Sequence, residues 1–145
     1  MEGLNKYLYI VIRLGAEQYG IDIRYIDNIV RMQQITRVPK MPDYLKGVIN
    51  LRGEIVPVLS LRLKMGLEEQ EATKKTRIII LKLEQQGTIG FIVDEVREVV
   101  TLSSEQIEKV THDADDDSMN YVFAVGKYEQ DLISLLDVNV VAAER

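Results

Sequence analysis

Apolar and polar positions change over in short bursts along this chain. YLYIVIRL, TRIIILKL, IGFIVDEV, YVFAVG and LISLLDV are all of strand length and rich in Ile, Val, Leu and Tyr. Gly-bearing or charged turns separate them at close spacing, a pattern that predicts an all-β chain built as a barrel or sandwich. Two polar stretches interrupt it. LEEQEATKK (67–75) reads as a connector, and the acidic HDADDDSMN (112–120) reads as a loop. Pro39 and Pro42 bracket a third irregular segment. GVINLRGEIVPVLSLR (47–62) reads as an apolar hairpin with the single cation Arg52 at its turn. Pro57 falls inside this hairpin's second run, which predicts an edge strand or a bulge.

The runs repeat. YIVIRL (9–14) aligns with IIILKL (78–83), and Arg13 falls opposite Lys82. YGIDIRYIDNIV (19–30) aligns with IGFIVDEVREVV (89–100), which sets Gly20 opposite Gly90. IVPVLSL (55–61) aligns with LISLLDV (132–138). Two similar β units of about 65–70 residues follow. Each is marginal in size alone, so a shared apolar interface is expected. Within the Gly-led segments, Ile23, Ile26, Ile29 and Val30 recur at spacings of three and four, and Val93, Val96, Val99 and Val100 repeat them. That spacing predicts a short helical stripe in each unit, brief because β-branched residues are poor helix formers. The stripes are either core or the wall of a groove between the units, and burial in the core is the commoner fate of such positions.

Composition narrows the setting. The 145 residues are 46% hydrophobic and 28% charged, which suits one domain or two small units sharing a core. No run approaches the ~18 apolar residues of a membrane span, and MEGLNKYLY lacks the form of a signal peptide. Without cysteine there is neither a disulfide framework nor a thiolate metal site. A cytoplasmic setting is expected. Residues 1–66 hold 10 Lys/Arg against 6 Asp/Glu, whereas residues 67–145 hold 8 against 17. That balance argues against nucleic acid as a partner and allows two faces of opposite sign to meet different proteins.

Chemistry is hard to find. His112 is the only histidine and stands beside the acidic loop, where a solvent-exposed role is expected. Asp113, Asp115 and Asp117 match the first ligand positions of a calcium loop. Ser118 and Ala124 then stand where glycine and a bidentate glutamate belong, which excludes an EF-hand. Gly47 and Gly53 frame VINLR without a following Gly-Lys-Ser/Thr, so no P-loop is present. Adjacent carboxylates such as Asp94-Glu95 point to opposite faces of a strand. No catalytic residue, metal site or cofactor is expected, and a binding module is favoured by elimination over a small β-barrel enzyme.

One stretch is specific. KGVINLRGEIVPVLSLR (46–62) resembles the signature of the CheW family of chemotaxis coupling proteins. EQYGIDIRYIDNIV (17–30), ITRVPKMPDYLKG (35–47) and IGFIVDEVREVVTLSSEQI (89–107) resemble it in the same order. The resemblance covers residues 7 to 141. It implies a single CheW-like domain of two packed five-stranded SH3-like β-barrels with short helices, approximately 7–66 and 76–141, between which strands are open to exchange. It implies a non-catalytic, cytoplasmic adaptor, monomeric when free and without membrane insertion. Such an adaptor couples the cytoplasmic tips of chemoreceptors to the regulatory domain of the histidine kinase CheA in membrane-associated signalling arrays. A coupling domain of another chemosensory pathway, or a detached CheA-type regulatory domain, is the alternative.

The resemblance also implies sites. The receptor groove lies between the barrels, walled by Ile10, Ile23, Ile26 and Ile29 of the first unit and Val93 of the second. Arg52 takes a position linked to receptor coupling. Its planar guanidinium suits a bidentate contact that lysine would not reproduce. A kinase-facing surface is placed around Ile35 and Val38 on the first barrel. Asn28 stands where some relatives carry an acidic residue.

Overall fold

A computed structural model describes residues 6–110 and 121–143. Eleven strands among these residues form two sheets. The first half supplies β1 (Lys6–Leu14), β2 (Glu17–Asp22), β3 (Ile26–Arg31), β4 (Leu45–Leu51), β5 (Glu54–Ser60) and a four-residue helix, α1 (Leu61–Lys64). The second supplies β6 (Arg77–Leu83), β7 (Gly87–Val93), β8 (Glu95–Ser103), β9 (Ile107–Lys109), β10 (Val122–Tyr128), β11 (Asp131–Leu136) and α2 (Val138–Ala143). The acidic loop and His112 lie outside the described residues.

Each sheet draws strands from both halves. One runs β3-β6-β7-β5-β4, and the other β8-β1-β2-β11-β10-β9. Replacing every strand of the first sheet by its sequence repeat reproduces the first five strands of the second. The hairpins β1–β2 and β6–β7 have therefore changed places. Both sheets are antiparallel apart from one parallel pair each, β5 with β7 and β11 with β2. The sheet carrying β9 is thus six-stranded where five were expected.

Strand alternation divides the core in three. Ile10, Ile12 and Leu14 of β1 join Ile79, Leu81 and Leu83 of β6 in one cluster with Leu59, Phe91, Leu136 and Val138, which both sheets share. The opposite face of β1 turns Tyr9 and Val11 towards Leu102, Ile133 and Leu135. The opposite face of β6 turns Ile78 and Ile80 towards Ile49, Val56 and Val58. Period-two side-chain direction is what allows one strand to serve two cores. The aligned Gly20 and Gly90 have the same packing duty. An added Cβ would stand 2.8 Å from Leu135 Cδ2 at the first and 2.8 Å from Ile78 Cγ2 at the second.

Two local expectations are corrected. The stripes are not helical. A 3-10 turn covers only Ile23–Tyr25, and Ile26 onward is strand β3. The ladder shifts between Ile26 and Asn28, so that Asp27 is an extra, bulged residue. A bulge carries residues three apart onto one face, and Ile26 and Ile29 pair with Leu81 and Ile79 on that face. The same bulge in β8 leaves Val96 opposite Ile12 and Val99 opposite Ile10. Pro57, in turn, lies neither at a sheet edge nor at a bulge but in the interior strand β5, opposite Val48. Val48 bonds through both its N–H and its C=O to Thr36, at 2.9 and 2.8 Å, on the side away from β5. Pro57 therefore faces a non-hydrogen-bonded position, and the ladder with β7 begins only at Val58. Its missing N–H deprives no partner.

Candidate functional site

The β4–β5 hairpin closes through two residues, since Leu51 pairs with Glu54. Arg52 and Gly53 have φ of 52° and 85°, the positive pair that a type I′ turn requires. Asn50 Oδ1 accepts the Gly53 N–H at 2.9 Å and locks the turn. Arg52 is exposed and forms no ion pair with a described residue. It lines a cleft with Asp27, Asn28, Glu54, Lys82 and Thr88, in which Lys82 Nζ stands 3.7 Å from Asp27.

Ile10, Ile23, Ile26, Ile29 and Val93 all belong to the shared cluster or pack against it. Their exposure differs. Val93 has none and Ile10 is 8% exposed, whereas Ile23, Ile26 and Ile29 are half-buried. Val93 thus supports this region from beneath and presents no surface of its own. Arg52 stands apart from the cluster, joined to it by β3. Asp27 and Asn28 of that strand face the arginine's cleft, and Ile26 and Ile29 face the core.

Ile35 and Val38 occupy the irregular segment between β3 and β4, in different surroundings. Ile35 is half-buried against the core of the first sheet and lines a small cavity beneath the connector 67–75. Val38 is 38% exposed and, with Met41, lines a second cleft bordered by Arg37 and Lys40.

One site escaped the sequence reading. Arg62, in α1, grips Asp94 between β7 and β8 through Nε–Oδ1 at 2.8 Å and Nη2–Oδ2 at 2.9 Å. Asp94 Oδ2 also accepts the Gly15 N–H from the β1–β2 turn at 2.8 Å, and the Asp94 N–H donates to the Arg13 carbonyl at 3.2 Å. Burial pushes the Asp94 carboxyl upward. The bonds from Arg62 and Gly15 outweigh that and hold it below the usual carboxylate range. This clamp ties the two sheets together at the point where the hairpins exchange. Its sequence signal is Asp94 itself, a carboxylate that directly follows the apolar run of β7. Among the described residues no group of three or more His, Cys, Asp or Glu could hold a metal ion, and no helix is long and apolar enough to cross a membrane.

The comparisons with known proteins agree with this geometry. A family model for the CheW-like domain matches residues 8–145. The chemotaxis protein CheW of Bacillus subtilis is 36% identical over 132 residues, covering 91% of this chain and 84% of that protein. CheW of Helicobacter pylori is 36% identical over 125 residues, covering 86% and 74%. The crystal structure of the scaffolding protein CheW from Thermoanaerobacter tengcongensis superposes with a TM-score of 0.84 at 31% identity, covering 92% of this chain and 90% of that one. With two mutually exchanged sheets of CheW-like architecture, a match along nearly its whole length and relatives of this identity, the chain belongs to the CheW family of non-catalytic chemotaxis adaptor proteins.

Proposed function

We propose that this chain couples the cytoplasmic tips of chemoreceptors to the regulatory domain of the histidine kinase CheA, and so places the kinase under receptor control. The observation that carries the reading is Arg52: an exposed guanidinium on a locked two-residue turn, free of ion pairs with described residues, in a chain of this family. A rigid turn spares the entropy of ordering the arginine's backbone on binding, and a planar fork matches a receptor carboxylate or paired carbonyls. The half-buried Ile23, Ile26 and Ile29 form the apolar wall against which an amphipathic receptor hairpin lies, with Ile10 and Val93 holding that wall in place. Ile35 and Val38 mark the side turned to the kinase. Residues 7–141 act as one domain of two barrel-like units. The free chain is a cytoplasmic monomer recruited to receptor arrays.

Pull-down of the purified chain with a receptor tip fragment and with CheA tests this. Arg52→Ala is expected to weaken receptor capture while the melting temperature stays within about 1–2 °C, as for an exposed substitution. A large fall in thermal stability would show Arg52 to be structural. Ile26→Asp is expected to abolish receptor capture. Retained capture by a folded Ile26→Asp chain removes the apolar wall from the reading.

A further inference from the structure

The internal repeat extends to grooves that the adaptor reading does not use. Lys46 is the bulged residue of β4, and Phe123 is the bulged residue of β10 at the equivalent place. Ser60 donates its N–H to the Tyr44 carbonyl at 2.7 Å, as Asp137 does to Tyr121 at 2.8 Å. Thr36 bridges to Val48 in the first unit, and Glu108 pairs with Val125 in the second. Ile35 and Ile107, one residue earlier, therefore correspond. By the same register Asp94 corresponds to Arg24.

These equivalent residues line equivalent grooves. Ile35, Lys46, Ser60 and Asp94 line one, and Ile107, Phe123, Asp137 and Arg24 line the other. The first is filled. The connector runs through it without regular structure from Glu69 to Thr73, held by the Lys46–Glu69 ion pair and by Arg62 Nη1 donating to the Glu68 carbonyl at 2.9 Å. Only about 100 Å³ remains. The second groove is open to about 830 Å³, and no described segment crosses it. Phe123 and Val140 line it at 37% and 38% exposure, and Tyr7 and Ile107 extend the apolar floor. At the bulge, a cation that anchors a carboxylate has become an aromatic ring.

We propose that the second groove takes an extended segment of another polypeptide, as the first takes the chain's own connector, with an apolar side chain of that segment seated on Phe123. The connector supplies the geometry of the occupant, and the exchange of Lys46 for Phe123 supplies its chemistry. A leucine-like residue replaces Glu69, because the Phe123 ring offers apolar contact at the position where Lys46 offers a charge. Neither Arg52 nor Ile26 lines this groove, so the proposal stands or falls separately from the receptor reading.

The probes are two synthetic peptides of residues 66–76, one natural and one with Glu69→Leu, titrated into the isotopically labelled full chain and followed by amide shifts. The Glu69→Leu peptide is expected to bind at least about tenfold more tightly than the natural one. Its shifts should cluster at Ile107, Phe123 and Val140. In a Phe123→Lys chain, which restores the first unit's anchor at a part-exposed site, the preference is expected to reverse. No saturable binding by either peptide, or an unchanged preference in the Phe123→Lys chain, overturns the proposal. Concentration-dependent shifts at the same residues without peptide assign the groove to a second copy of this chain, and overturn it as well.

Discussion

The two units share a backbone plan; their inward differences compensate one another, and most of their outward differences do not. Both have the same strand order, the same bulges in β4 and β10, the same tyrosine carbonyl accepting from the residue that caps the following helix, and one parallel pair each. Ile55 and Leu132, at equivalent positions after the two hairpin turns, are even exposed alike, at 61% and 63%. Inside, changes compensate. Ile49 fills the first unit's inner core beside a half-buried Met32, whereas Gly126 takes the place of Ile49 and the fully buried Leu102 reaches within 2.6 Å of where its Cβ would be. Volume has moved from one strand to another without being lost, as close packing demands. Outside, changes do not compensate. Arg52 stands at one turn tip where the other unit has Glu129, and Lys46 with its strap stands where the other has Phe123 and an open groove. The repeat sets the fold, and its departures set the surfaces available to partners.

The sharpest break of the comparison is at Gly47, whose counterpart is Ala124. Gly47 has φ of 140°, and a Cβ there would stand 2.1 Å from the Thr36 carbonyl oxygen. That oxygen is fixed by its bond from Val48 N–H, so no flexible side chain can give way. Gly47→Ala is expected to destabilise the chain by at least about 3 kcal/mol, through strain and loss of the Thr36–Val48 bridge. The reverse change in the other unit, Ala124→Gly, is expected to cost only about 1 kcal/mol, through strand entropy and a lost methyl. Urea denaturation of both variants checks this. Equal losses would show that the two bulges are not built differently.

Only one unit has the clamp. Asn139 stands at the place of Arg62, and Arg24 at the place of Asp94, where it pairs with its neighbour Asp22 at 2.8 Å. Arg62 and Asp94 are 13% and 27% exposed, so the pair is partly shielded from solvent. Arg62→Ala leaves a part-buried carboxylate with only the Gly15 N–H, and a loss of about 2 kcal/mol at neutral pH is expected. The pH dependence identifies the cause. The folded Asp94 carboxyl titrates below its unfolded value, so its contribution is fully present above about pH 4 and disappears as pH falls through the lower folded value. Stability of the parent chain should therefore decline in that acid window more steeply than that of Arg62→Ala. Parallel declines in chemical denaturation at several pH values would mean that Asp94 gains nothing from the arginine.

What the sequence disclosed follows from what alternation can encode. The strands, the two units and the aligned glycines were legible, because each strand packs two faces and the repeat copies both. The stripes were legible as spacing and misread as helix. A 3-10 turn followed by a bulge at Asp27 brings Ile23, Ile26 and Ile29, three apart in sequence, against one core cluster, and single-residue insertions leave no mark in composition. Pro57 was misread because its tolerance depends on Thr36, a residue 21 positions away. The exchange of β1–β2 with β6–β7 could not be read, since both hairpins are equally apolar and either set of partners satisfies their pattern. The second groove was invisible for a related reason. Phe123 looks like any strand aromatic until its register with Lys46 is known.

The smallest expected effect separates turn geometry from turn chemistry. Arg52 and Glu129 are the corresponding first residues of the two-residue turns, with φ of 52° and 57°. A side chain in that region carries strain that glycine does not. Arg52→Gly and Glu129→Gly are therefore each expected to leave stability unchanged or raise it by up to about 1 kcal/mol, because the first turn residue has a positive φ at both tips. Their effects on binding should part. Arg52→Gly removes the guanidinium and is expected to weaken receptor capture as much as Arg52→Ala does, while Glu129→Gly should keep it. If both glycine variants capture receptor normally, the charge at the first tip is decoration. If Glu129→Gly alone loses capture, the receptor-facing tip belongs to the other unit. Thermal melts alongside pull-downs distinguish these cases, since a stability change common to both variants cannot account for a binding change confined to one.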